Sequence, residues 1–80
     1  MLTHTFTPNQ SKAARALLSW SQTDLADAAG LGLGTIKDYE SGRRKPHARN
    51  LSKIDEAFTS KGIEFLNGND GSKGVRLGTH

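Results

Sequence analysis

The chain has no cysteine among its 80 residues and only two prolines. The absence of cysteine excludes disulfides, thiolate metal ligands and thiol nucleophiles together. No stretch approaches the roughly 20 consecutive apolar residues that a membrane helix needs, so we expect no membrane partner. Residues 1–11 lack the cationic start and apolar run of a signal peptide, and we therefore expect a cytoplasmic protein.

Catalytic constellations are also missing from the sequence. The three histidines, His4, His47 and His80, are far apart and have no cysteines to join them, which argues against a metal site. The glycine-rich stretch at residues 30–34 follows a predicted helix rather than a strand, and it lacks the dinucleotide-binding spacing. We therefore expect no enzyme activity, no cofactor and no small-molecule ligand.

Charge is present but unevenly placed along the chain. The net charge is +3, yet residues 36–53 alone carry six cations and two carboxylates, a net +4. Such a cluster indicates a partner with phosphates, although a solvated surface is the alternative interpretation. The length predicts one small domain with a thin core, which oligomerisation often supplements.

Capping residues predict the first two helices. Thr7, Pro8 and Gln10 are typical of a capped helix start, and a helix is expected to follow them. Ser21 is expected to cap a second helix that ends at Gly30 in a left-handed conformation. The single tryptophan, Trp20, is expected to anchor these two helices to each other.

Two further helices are predicted by apolar spacing. The third extends roughly from Leu33 to Ser41, with Ile36 and Tyr39 facing inward, and Gly42 terminates it. The fourth begins after Pro46 and ends near Gly62. Its apolar stripe consists of Leu51, Ile54, Ala57 and Phe58.

The last eighteen residues change from helical to β-prone patterns. Short runs at residues 63–66 and 75–77 flank a linker at 67–74, which predicts a hairpin. An isolated two-stranded hairpin is marginal in water, so it must pack on the helices or pair with another copy. We therefore divide the chain into a helical domain at residues 1–62 and a hairpin or tail at residues 63–80 that serves dimerisation. The expected interface residues are Ile63, Phe65, Leu66, Val75 and Leu77.

Residues 15 to about 58 resemble the helix-turn-helix domain of phage repressors and Cro, the xenobiotic-response-element type of regulator. The matching positions are Ser21-Gln22, Leu25-Ala26, Gly30, Thr35-Ile36, Glu40, Gly42 and the basic segment that ends at Pro46. The resemblance implies a mainly α fold, namely a four- to five-helix repressor-like domain with a short C-terminal β-hairpin. It also implies an ion pair between Arg15 and Glu40, for which solvated surface charges are the alternative.

The resemblance also implies that residues 1–62 are a helix-turn-helix DNA-binding domain, and it assigns the DNA contacts. Its base-reading positions correspond to Leu33, Gly34, Lys37 and Asp38. Lys37 can donate to guanine, Asp38 can accept from cytosine, and Leu33 can touch a thymine methyl group. Gly34 only allows the backbone to come close, so base readout should be sparse and supplemented by DNA shape. The phosphate positions are Ser21, Gln22, Thr35, Arg43, Arg44 and Lys45.

The function implied is a sequence-specific DNA-binding transcriptional regulator. Two copies would place their third helices in successive major grooves, with half-sites of a palindromic operator about 34 Å apart. One alternative keeps the fold but makes the chain the antitoxin of a toxin–antitoxin pair. A second alternative is a helix-turn-helix module used only for protein–protein contacts.

Overall fold

The computed structural model describes residues 6–78, which form four helices followed by a two-stranded antiparallel sheet. This mainly helical architecture confirms the predicted fold class. None of the helices in the described range is long and apolar enough to cross a membrane. The elements in chain order are α1 (Pro8–Leu18), α2 (Gln22–Ala29), α3 (Leu33–Glu40), α4 (Ala48–Thr59), β1 (Ile63–Asn67) and β2 (Lys73–Leu77).

The predicted caps of α1 and α2 are confirmed. The Thr7 hydroxyl accepts from the Gln10 amide at 3.1 Å, and the Gln10 side chain accepts from the Thr7 amide at 2.8 Å. Ser21 and Asp24 form the same reciprocal box at the start of α2. Gly30 follows α2 with φ 69°, a left-handed conformation that glycine adopts without a Cβ penalty. These caps fix the two helix starts and the turn into α3.

The core forms where α2, α3 and α4 meet. Leu25, Ile36, Ile54 and Phe58 are fully buried there, one or more from each helix. Ala26 is 4% exposed, and its small side chain allows the close approach of α2 to its neighbours. Residues 30–32 connect α2 to α3, a turn of the length expected of a helix-turn-helix. The buried contacts thus hold α3 at a fixed angle to α2.

The hairpin is longer than the sequence indicated. Leu66 pairs with Gly74, and Asn67 pairs with Lys73, so the turn covers only residues 68–72. The prediction of a linker at 67–74 was wrong because glycine, asparagine and lysine have low strand propensity by themselves. Tertiary contacts override that preference here. The side-chain nitrogen of Gln10, Nε2, donates to the Leu66 carbonyl at 3.2 Å and to the Gly74 carbonyl at 2.9 Å.

The inner face of the hairpin completes the core. Ile63 is 2% exposed, and the Phe65 ring stacks on Phe6 with centroids 4.6 Å apart. Phe65 also meets Phe58 edge to face at 5.8 Å. Trp20 stacks on Phe58 of α4 at 5.8 Å, so it anchors the α1–α2 connection to α4 rather than α1 to α2 alone. The hairpin therefore packs on the helices of its own chain.

Candidate nucleic-acid interface

Helix α3 presents a sparse outer face. Leu33 is 38% exposed, and Gly34 and Lys37 are also exposed, whereas Asp38 is half-buried. Of the four predicted base-reading residues, Lys37 therefore has the best access of any hydrogen-bonding side chain. The opposite face of α3 buries Ile36 and Tyr39 against the core. This division confirms the predicted inward positions of those two residues.

Glycine at position 34 is not required by the packing. A Cβ built at Gly34 meets no heavy atom within 4 Å, and its φ lies outside the left-handed region. Glycine inside a helix costs roughly 1 kcal/mol relative to alanine. The fold therefore gains nothing from the missing side chain, and the outer face of α3 is flatter because of it.

A cationic segment follows α3 directly. Gly42, with φ 73°, turns the chain, and the Arg43 amide bonds back to the Asp38 carbonyl at 3.1 Å. Arg43, Arg44 and Lys45 are all exposed and have no ion-pair partner among residues 6–78. Unpaired cations at the end of an exposed helix are suited to phosphates. The structure thus places the predicted basic cluster beside the outer face of α3.

Of the remaining predicted phosphate residues, Ser21 and Gln22 lie at the start of α2, and Thr35 lies on α3. Ser21 is exposed, and Gln22 and Thr35 are half-buried. The Ser21 hydroxyl accepts from the Asp24 amide at 3.0 Å but keeps its own proton for another acceptor. The first amides of a helix lack intrahelical partners and carry a partial positive charge, which favours an anion at this end.

Beneath these surfaces lies a buried carboxylate. Glu40, with its side chain 1% exposed, forms an ion pair with Arg15 at 2.8 Å. The same carboxylate accepts from the Ser11 hydroxyl at 2.5 Å and from the Gln22 amide nitrogen at 3.1 Å. Arg15 also donates to the Trp20 carbonyl at 3.2 Å. One carboxylate thereby joins α1, the first residue of α2 and the last residue of α3.

The surroundings of Glu40 set its charge. Burial by itself raises the pKa of this carboxyl group, but hydrogen bonds from Arg15, Ser11 and Gln22 and the Arg15 charge together bring it below the ordinary value of 4.5. Glu40 is therefore ionised at neutral pH. Burial, and then the Glu40 charge, raise the pKa of the neighbouring Tyr39 hydroxyl, which has no hydrogen-bond partner in the described part of the chain.

Two members of this cluster were missed from the sequence. Ser11 lies four residues before Arg15 on α1 and so shares its helix face, a signal that could have pointed to it. The bond from Gln22 to Glu40 joins residues 18 positions apart. No local pattern indicates such a contact, because it depends on how α2 and α3 pack.

The predicted interface residues divide into two groups. Ile63, Phe65 and Val75 face the helices of the same chain and pack in or against its core. Leu66 and Leu77 are each 41% exposed. Only these two are accessible to a second copy as large apolar side chains of the hairpin.

Residues 6–78 contain no cluster of three histidine, aspartate or glutamate side chains that could hold a metal ion. His47 occupies the N-cap position of α4 without a side-chain capping hydrogen bond, and His4 and His80 lie outside the described residues. A cavity of about 130 Å³ between α3 and the start of α4 is lined partly by Asp38, Arg44 and Lys45. Its polar lining continues the cationic surface.

Helices α2 and α3, the three-residue connection between them and the exposed outer face of α3 define a helix-turn-helix protein. A family model described as helix-turn-helix matches residues 12–65, and the chain belongs to this Cro/C1-type family. An uncharacterized HTH-type transcriptional regulator of Archaeoglobus fulgidus is 40% identical over 63 residues. That similarity covers 79% of this chain but 24% of the relative, so the chain spans only a minor part of that protein's length.

Proposed function

We propose that the chain is a sequence-specific DNA-binding transcriptional regulator that acts in the cytoplasm as a homodimer. Helix α3 enters the major groove of a palindromic operator, and Lys37 makes the principal base contact. The observation that carries this proposal is the outer face of α3, which is exposed, almost free of large polar side chains and followed by unpaired cations.

Contacts to the phosphates of the DNA backbone supply most of the affinity in this proposal. Arg43, Arg44 and Lys45 neutralise phosphates beside the groove, and Ser21 and Gln22 bind a phosphate at the start of α2. Thr35, which is half-buried on α3, adds a hydroxyl from the helix itself. Leu33 offers an apolar contact for a thymine methyl group, and Gly34 allows the helix to lie close to the bases. Asp38 accepts from a cytosine where its half-buried carboxylate reaches one.

Dimerisation is proposed through the exposed leucines of the hairpin. Leu66 and Leu77 remain exposed, whereas the other apolar strand residues are used within the chain. They lie on opposite faces of the hairpin, because Leu77 pairs with Ile63 and Leu66 pairs with Gly74. A chain of this size has few base contacts, so a second copy doubles the sequence that is read. A symmetric pair requires the same patch on both copies.

The test of DNA binding is selection of duplexes from a random pool, followed by protection of the enriched site. We expect an enriched sequence with two inverted half-sites about one helical turn apart. Affinity should fall steeply with salt, because each neutralised phosphate contributes about −0.9 to the slope of log affinity against log salt. Absence of binding at low salt would contradict the proposal and favour a module for protein contacts.

The test of dimerisation is sedimentation with and without the selected duplex. We expect a dimer on DNA and a weaker dimer in solution. Leu66→Asp with Leu77→Asp should produce monomers while the helices stay folded, because both leucines are exposed. Monomers of the unaltered chain on DNA at high concentration would contradict this part of the proposal.

A further inference from the structure

The Gln22 side chain connects the proposed DNA surface with the protein interior. Gln22 is the first residue of α2, and its amide nitrogen lies 3.1 Å from Oε1 of Glu40. The carboxylate that receives this bond is 99% buried and is also held by Arg15 and Ser11. Glu40 is therefore a fixed anchor, since its own position is determined by several donors.

This bond selects one of two orientations of the Gln22 amide. An ionised carboxylate has no proton to donate, so it can face only the nitrogen end of a carboxamide. The amide oxygen and the second N–H of Gln22 then have no partner within residues 6–78. Without the carboxylate, the amide could rotate by 180° and present its oxygen, which would repel a phosphate.

We propose that Glu40 is a positioning residue for DNA binding, because it holds the Gln22 amide in the orientation that leaves one N–H available to a backbone phosphate. This inference rests on the proposed phosphate contact of Gln22. Ordering a side chain before association removes its entropy cost from binding, which corresponds to about two- to tenfold in affinity. Since Glu40 is the last residue of α3, it also fixes the phosphate contact of α2 relative to the reading helix.

The test needs a variant that removes the acceptor without unfolding the chain. Arg15→Met combined with Glu40→Met replaces the buried pair by apolar side chains of similar length, an exchange that is often neutral or stabilising. Binding is measured on a mixed-sequence duplex of about 24 base pairs at about 50 mM salt, where phosphate contacts dominate. We expect this pair exchange to weaken binding about two- to tenfold.

A conservative variant separates positioning from stability. Glu40→Gln lowers stability but keeps an oxygen where Oε1 now accepts from Gln22. We therefore expect it to bind more tightly than the pair exchange although it is less stable. Ser11→Ala is the matched control, because Ser11 bonds to Oε2 rather than to the oxygen that Gln22 uses. A purely structural role would instead make affinity follow stability across all these variants.

A double-mutant cycle with Gln22→Ala decides the outcome. If Glu40 acts through Gln22, the pair exchange should cause no further loss in the Gln22→Ala background. Two results would overturn the inference. In the first, the pair exchange binds the duplex as tightly as the unaltered chain. In the second, the pair exchange weakens binding as much in the Gln22→Ala background as it does when Gln22 is present. If Gln22→Ala alone leaves affinity unchanged, the phosphate contact and this inference are both wrong. If the unaltered chain fails to bind the duplex, the proposed function itself is wrong.

Nuclear magnetic resonance of the unaltered chain gives a second measurement that needs no variant. The sequence contains only two glutamines, Gln10 and Gln22, so their side-chain amides are readily assigned. Gln10 is held by two carbonyl groups and serves as the rigid reference, and exposed Asn69 in the hairpin turn serves as the other reference. We expect the amide order parameter of Gln22 to approach that of Gln10. A Gln22 amide as mobile as that of Asn69 would overturn the inference.

Discussion

The two faces of α3 differ in how many contacts their side chains form. On the inner face, the Glu40 carboxylate accepts from three side chains, and Ile36 is fully buried. On the outer face, Gly34 has no side chain, and the exposed Lys37 is the one cation of the helix. The position of the reading helix is therefore determined by many contacts, whereas its means of reading sequence are few. Base specificity is limited by side-chain chemistry rather than by the precision of the fold.

The largest predicted effect comes from removing the Glu40 carboxylate on the inner face of α3. Glu40→Ala should destabilise the fold by about 3–5 kcal/mol, because it leaves the Arg15 guanidinium in a largely buried site without its partner. Thermal and denaturant unfolding measure this loss. Asp38→Ala is the matched control two positions earlier on the same helix, and it should change stability by less than about 1 kcal/mol. If Glu40→Ala and Asp38→Ala lowered the free energy of unfolding equally, the proposed difference between the two faces of α3 would be wrong.

Glu40→Gln is a milder version of the same change. The amide retains hydrogen-bonding atoms but loses the charge that Arg15 faces, so we expect a loss of about 1–3 kcal/mol. Melting at the temperature of the unaltered chain would contradict the structural importance of the ion pair.

Acid should weaken the contacts of Glu40 on the inner face, and so lower the stability of the fold, without any substitution. Because the folded-state pKa of Glu40 is lowered, its ionisation contributes stability that is fully present above its ordinary pKa of 4.5. That contribution is lost as the pH falls from there through the folded-state value. The loss should be smaller than that from Glu40→Ala, because a protonated carboxyl still forms hydrogen bonds. Denaturant midpoints between neutral pH and pH 3 measure it, and Glu40→Gln should show a flatter decline than the unaltered chain.

A substitution on the outer face of α3 should affect DNA binding rather than folding. Lys37→Ala should weaken binding to the selected operator by about tenfold, the effect expected for one good base contact, and leave the melting temperature nearly unchanged. Lys61→Ala removes an exposed cation after α4 and controls for the change in net charge. If Lys37→Ala loses no more affinity for the operator than Lys61→Ala, the outer face does not read bases through Lys37.

The helix boundaries could be predicted from local signals because they depend on neighbouring residues. Thr7 and Ser21 cap helices through bonds that span three residues, and Gly30 ends α2 with its own backbone conformation. The inward positions of Ile36 and Tyr39 follow from helical spacing alone. These elements need no knowledge of the tertiary structure, which is why the sequence was sufficient for them.

The remaining features depend on contacts between distant parts of the chain. Strand β2 begins at Lys73 although lysine and Gly74 are poor strand residues, because Gln10 binds the Gly74 carbonyl across 64 positions. The family resemblance brought Arg15 and Glu40 together, but it gave no sign of Gln22 in the same cluster. The hairpin residue Phe65, predicted at an interface, stacks on Phe6 within the chain. Apolar strand patterns alone do not distinguish these two uses of a side chain.

The smallest predicted effect is also the sharpest comparison, because it should act in opposite directions on folding and binding. Gly34→Ala should stabilise the fold by about 0.5–1 kcal/mol, since the added Cβ meets no atom and alanine favours the helix. The same methyl group would lie between α3 and DNA, so affinity for the operator should fall. Thr59→Ala, an exposed substitution in the last turn of α4, is the control for added helix propensity and should leave binding unchanged. A more stable Gly34→Ala variant that binds DNA as well as the unaltered chain would mean that the missing side chain serves no close approach.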